Sequence, residues 1–152
     1  MNPIEQRPDI SKAFKTLVLI WSFIAASHFL FLLLIYLTKP EAISWSLSQP
    51  LLGNNPVITI AIAVVSLLNL ISSVTQPDQY IRRSIDEQNP GYVQTAMIVG
   101  CALAEGVTLF GVFLAFAYEY QYFFVWIIVG FVGTCLNFPR RRDLENASIR
   151  SI

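Results

Sequence analysis

Four apolar stretches, parted by shorter polar ones, organise this chain: Thr16 to Leu37, Val57 to Val74, Val93 to Tyr118 and Gln121 to Phe138. Each reaches or approaches the roughly 20 residues that an α-helix needs to cross a hydrocarbon core about 30 Å thick. None alternates apolar and polar positions with period two, which argues against a membrane β-barrel. The pattern predicts an all-α integral membrane protein of one domain, residues 1–152. Four transmembrane helices, about 16–37, 57–74, 93–118 and 121–138, are expected as two antiparallel hairpins.

The polar stretches set the expected orientation. Arg7, Lys12 and Lys15 precede the first helix, Arg82 and Arg83 lie between the second and third, and Arg140, Arg141, Arg142 and Arg150 follow the fourth. The other side holds only Lys39. This asymmetry predicts that both termini and the central loop are cytoplasmic, in what is expected to be a bacterial inner membrane. Composition agrees, since 55% hydrophobic and 13% charged residues, with a mean hydropathy of +0.56, are too apolar for an ordinary soluble domain. The first apolar stretch is too long for a signal-peptide core and lacks a small-residue cleavage site, so it is expected to remain as a helix. The Asn146-Ala147-Ser148 sequon falls on the cytoplasmic side, away from glycosylation.

Of the connections, Thr38 to Pro56 combines Pro40, Pro50, Gly53 and Pro56 with alternating Ile43, Trp45 and Leu47, and is expected at the headgroup level. The turn around Glu119 carries Tyr118, Tyr120 and Tyr122, read as an interfacial aromatic girdle. Between the second and third helices, residues 75–92 read as a cytoplasmic loop. Thr75, Pro77 and Asp78 would start a short helix through Ile81 and Ile85, and Asn89-Pro90-Gly91 would end it. Residues 139–152 read as a basic tail. Arg82 and Arg83, with Arg140, Arg141 and Arg142, form an expected docking or lipid-headgroup surface.

Within the membrane the outstanding group is Glu105, the lone charge between Gln88 and Tyr118 and almost at the centre of its helix. Intramembrane carboxylates are rare and mark function or a specific partner. On the same helix Gly100, Ala104, Thr108, Gly111 and Ala115 form a stripe of small side chains, a surface that another helix can approach closely. Glu105 sits at the edge of that stripe, where it can hold a proton or a bound cation. His28 lies at a similar depth, Ser66, Asn69 and Ser73 share one face of the second helix, and Thr134 and Asn137 follow on the fourth. Glu105, His28, Ser66 and Asn69 are therefore candidate ion-binding residues. The competing reading makes them interhelical hydrogen bonds of a four-helix bundle.

The run Ala102-Leu103-Ala104-Glu105-Gly106, continuing through Leu109-Phe110-Gly111 and Ala115, resembles the carboxylate helix of the rotor-ring c subunits, or proteolipids, of rotary ATPases. That resemblance implies proton or sodium binding at Glu105 within an oligomer, and Gln76-Pro77-Asp78 is similar to the polar loop of that family. The second helix has no glycine, whereas the inner helix of that family is glycine-rich. The run also resembles small uncharacterised four-helix bacterial membrane proteins, which imply no activity.

No nucleophile–base pair, phosphate loop, nucleic-acid surface or metal-ligand spacing is present in the sequence. Cys101 and Cys135 both fall within helices and read as small apolar fillers rather than a disulfide or zinc pair. No cofactor and no enzymatic activity are expected. The expected function is that of a non-catalytic small subunit of a membrane complex, acting through helix packing and a cytoplasmic docking loop. The alternative is a proton- or cation-binding oligomer using Glu105. Expected partners are the bilayer and other membrane subunits, in a homo- or hetero-oligomer, and not nucleic acid.

Overall fold

A computed structural model describes residues 9–43 and 50–148. These residues form five α-helices and one short 3₁₀ turn, with no strand among them. α1 is Ile10–Thr38, α2 Pro56–Asp86, α3 Gly91–Tyr118, α4 Phe123–Leu136 and α5 Arg141–Ser148. Four helical stretches are long and apolar enough to cross a membrane: α1, α2, α3 and the stretch Phe123–Ser148 that joins α4 to α5. The last is interrupted at residues 137–140. The chain is thus all-helical and built as an integral membrane protein. The alternating residues of the first long connection lie largely outside the described residues.

The helix ends follow their local chemistry. α1 is capped by Asp9, whose carboxylate accepts from the Lys12 amide at 3.2 Å, satisfying one of the free N–H groups of the first turn. α2 begins with Pro56 at its first position, where the missing N–H costs nothing. α3 closes at Glu119 in the left-handed region (φ 50°).

The expected loop 75–92 is much shorter than its polarity suggests. α2 runs through Pro77 to Asp86, and only residues 87–90 separate it from α3. Pro77 removes one helical hydrogen bond without ending the helix. Beyond it Ser84 is fully buried and Ile81 packs on an apolar cluster of Leu17, Val93, Met97, Cys101, Leu144 and Ala147. The helix expected through Ile81 and Ile85 is present, but as a continuation of α2 and not as a separate element started at Thr75, because tertiary packing carries the helix past Pro77. At residues 89–91 the Asn89 side chain accepts from the Gly91 amide at 2.9 Å, as an Asx turn does.

The expected tail also differs. Residues 141–148 form α5, whose Leu144 and Ala147 are buried in that same cluster, so the basic segment is folded against α1, α2 and α3. Tyr120, expected in an interfacial girdle, is instead buried. Its hydroxyl donates to the Leu51 carbonyl at 2.7 Å, and its ring lies against Gly53, which has φ +63°. A side chain there would need both the left-handed backbone and the space of the Tyr120 ring.

α3 is the central helix. It packs extensively on α2 and α4, and α1 packs on α3 and α4. Burial follows that order: 44% of the apolar window of α3 is buried, against 17% for α1 and 17% for α2. The outer faces of α1 and α2 are therefore broad and apolar, with Phe23, Phe29, Leu30, Val57, Leu67 and Leu68 all well exposed.

Candidate functional site

The small stripe on α3 is wholly buried: Gly100, Ala104, Thr108, Gly111 and Ala115 all face protein. Its partner is α4 of the same chain. A Cβ on Gly130 would strike Thr108 Oγ1 and would lie 2.8 Å from the Ala104 carbonyl oxygen. A Cβ on Gly133 would lie 2.9 Å from Ala104 Cβ. Gly111 faces Trp126 Cβ and the Phe123 carbonyl in the same way, and Gly100 faces the Asn137 side chain and Pro77. Backbones this close need glycine on one side and a small residue on the other. The missed half of this contact, Gly130 and Gly133, is legible as two glycines three residues apart on the fourth apolar stretch.

Glu105 projects from the edge of that stripe and is half-buried. Its carboxyl meets the Ser27 hydroxyl of α1, with Oε1 and Oγ 2.7 Å apart. Ser27 Oγ is also 2.7 Å from the carbonyl of Ile24, one turn earlier. Next to Ser27, His28 is 1% exposed, and its Nδ1 lies 3.1 Å from the same Ile24 carbonyl. A carbonyl only accepts, so Nδ1 carries the hydrogen. Nε2 faces Thr134 Oγ1 at 3.4 Å. Phe131 closes the ring's edge, with centroids 5.7 Å apart.

Glu105 and His28 are thus brought to one place but not into contact. Ser27, which Glu105 meets, and His28 both bond to the Ile24 carbonyl, which has no proton to pass on. A proton cannot be relayed from one to the other through that oxygen.

The remaining candidates belong to separate contacts. Ser66 is buried and accepts from the Trp126 indole at 3.0 Å. Asn69 is half-buried beside Gly106, where a Cβ would lie 3.2 Å from its amide nitrogen. On α4, Thr134 also offers its backbone carbonyl to the Trp21 indole at 2.9 Å, and the Asn137 amide donates to the Gly133 carbonyl at 2.9 Å. Ser27, Trp21 and Trp126 carry as much of this polar interior as the residues that the sequence singled out. A serine in a helix and an indole amid apolar residues gave little signal.

At the helix ends, Arg82, Arg83, Arg140, Arg141 and Arg142 are all exposed. Two of them are engaged locally: Arg83 Nε donates to Glu87 at 2.6 Å, and Arg141 Nε to Glu145 at 3.0 Å. The Arg83 guanidinium also lies 4.8 Å from the centre of the Tyr92 ring, a cation–π distance. Its hydrogen bond, then one from Tyr92, holds the Glu87 carboxyl below the usual carboxylate range. A cavity of about 140 Å³ opens at this end, with Asp78, Asn137, Arg140 and Asp143 in its wall. Among the described residues no group of three or more His, Cys, Asp or Glu is placed to hold a metal ion.

Comparisons with protein-family models, curated proteins and solved structures find no match for this chain.

Proposed function

We propose that this chain is a non-catalytic subunit of a membrane-protein complex and acts by helix packing. The observation that carries this reading is that polar side chains of its interior are paired within the chain. Glu105 meets Ser27, Ser66 meets Trp126, and the bonds of Ser27 and His28 end on one carbonyl. The polar groups therefore serve contacts inside the chain, while the outward faces of α1 and α2 are apolar and broad. Those faces suit lipid or the helices of neighbouring subunits. The helices form two antiparallel hairpins, and both termini, with the turn between α2 and α3, face the cytoplasm of a bacterial cell. Arg82, Arg140 and Arg142 then stand at the cytoplasmic rim, open to anionic headgroups or to a soluble partner.

A second reading has one specific observation in its favour. The carboxyl of Glu105 faces a neutral hydroxyl and not a basic side chain, as suits a proton- or cation-binding site in an oligomer of this chain. Mild detergent extraction of the tagged protein followed by native mass measurement separates the two. The leading reading expects this chain at fixed stoichiometry with other polypeptides. A closed ring of this chain alone would overturn it in favour of the second.

A further inference from the structure

We infer that the cavity beside the α4–α5 break binds the head of a primary-amine phospholipid, with its ammonium at Asp78 and Asp143 and its phosphate at Arg140. The cavity, of about 140 Å³, has a proline from each of two helical stretches in its wall: Pro77 within α2 and Pro139 between α4 and α5. A space of that size admits a small organic group and not only a single water. Val74, Val93 and Leu136, at the ends of three apolar spans, line it together with Asp78, Asn137, Arg140 and Asp143. It therefore lies where hydrocarbon gives way to headgroups in a bilayer.

The chemistry of the wall selects the ligand. Asp78 of α2 and Asp143 of α5 supply carboxylates, and Asn137 adds an amide oxygen, since its NH₂ group already donates to the Gly133 carbonyl. Such a set of acceptors suits a primary ammonium, which has hydrogens for all of them. Arg140 supplies a guanidinium, whose fork of donors matches a phosphate. Asp78 repels Asp143, whereas Arg140 and Arg142 attract it, yet none of these four makes an ion pair among the described residues. Their charges are thus open to a zwitterion that brings one group of each sign. Leu136 and Phe138 line the same cavity and are exposed, which leaves an apolar path for acyl chains. Arginines alone would favour acidic lipids, but the two carboxylates turn the preference toward a head that carries an amine. A trimethylated amine has no N–H to donate and would be held less well. The inference rests on the chain's place in a bilayer and not on its role as a subunit, so its failure would leave that reading intact.

The full chain in mild detergent, given equal amounts of phosphatidylethanolamine, phosphatidylcholine and phosphatidylglycerol, tests this by native mass measurement of the lipid that stays bound. The expected result is preferential retention of phosphatidylethanolamine. In the double variant Asp78→Asn, Asp143→Asn that preference over phosphatidylcholine should fall by about tenfold or more, as the loss of charge-assisted hydrogen bonds implies. Neither carboxylate has an ion-pair partner to lose, and Asn keeps the size, so the variant is expected to fold. Arg140→Gln should weaken retention of phosphatidylethanolamine without changing which lipid is preferred. Equal retention of the three lipids by the wild type, or a preference for phosphatidylglycerol, would overturn the proposal, and this ranking needs no variant. A preference that survives the double variant would overturn it equally, because the carboxylates would then not be its source. Displacement of the lipid by an equal concentration of O-phosphoethanolamine would remove the lipid as the occupant, since the soluble head alone would suffice.

Discussion

Thr108 Oγ1 on α3 points at the Cα of Gly130 on α4, in the space where any other residue would carry its Cβ. This hydroxyl is buried without a conventional hydrogen-bond partner and packs directly against the glycine, a close approach of the kind that recurs where small residues meet between helices. The Ala104 carbonyl oxygen stands 2.8 Å from that same Cβ position, and being backbone it cannot swing aside. Gly130→Ala should therefore force α3 and α4 apart. The expected cost is about 2–3 kcal/mol, read as a lower midpoint in thermal or denaturant unfolding in detergent. Thr108→Ser, which leaves the oxygen in place, should not rescue it, whereas Thr108→Ala should recover only part of the loss because the Ala104 carbonyl remains.

The indole of Trp126 ties α4 to α2 through Ser66. Trp126→Phe keeps a ring against Tyr120, whose centroid is 5.4 Å away, but removes the N–H. The expected loss is about 1 kcal/mol, the usual worth of an interhelical hydrogen bond in a membrane protein. Ser66→Ala should cost about the same, and the double variant no more than either alone. Additive losses in that double-mutant cycle would show that the two side chains act independently.

Acidification should loosen the short turn between α2 and α3. The Glu87 carboxyl is held below the usual carboxylate range by its bond from Arg83 and then from Tyr92. A carboxylate with a depressed folded value stabilises the fold above its unfolded value, and that contribution is lost as pH falls through the folded one. Protection of the amides at residues 87–91, corrected for the intrinsic pH dependence of exchange, should therefore be greatest near neutral pH and fall below the ordinary carboxylate range. Raised salt should act in the same direction, because the pair is exposed. Exchange that stays unchanged in Glu87→Gln would show that this ion pair does not hold the turn.

The distribution of Lys and Arg predicts which end of the bundle faces which compartment. Gln88, exposed between α2 and α3, should react as Gln88→Cys only with reagents that reach the cytoplasm. Glu119, whose side chain is 84% exposed at the opposite turn, should react as Glu119→Cys from outside. The reverse pattern would invert the proposed topology.

Several features of this protein were fixed by the linear chain alone. Four apolar stretches bounded by charge specify membrane-crossing helices, because hydrocarbon tolerates a backbone only when its hydrogen bonds are closed within the segment. The carboxyl within the third stretch and the small-residue stripe beside it were legible too, since both depend only on helical period. Tertiary structure decided what those features touch. That the stripe would meet Gly130 and Gly133 of the same chain, and not a second molecule, depends on which helices become neighbours. Ser27 became the partner of Glu105 through the placement of α1 against α3, and a serine carries no mark of that in sequence. Residues 77–86 continued α2 without a break, and 141–148 folded back, because Ile81, Leu144 and Ala147 found a cluster to enter. Period and composition report what one helix needs, whereas a pair of side chains is chosen only when two helices meet.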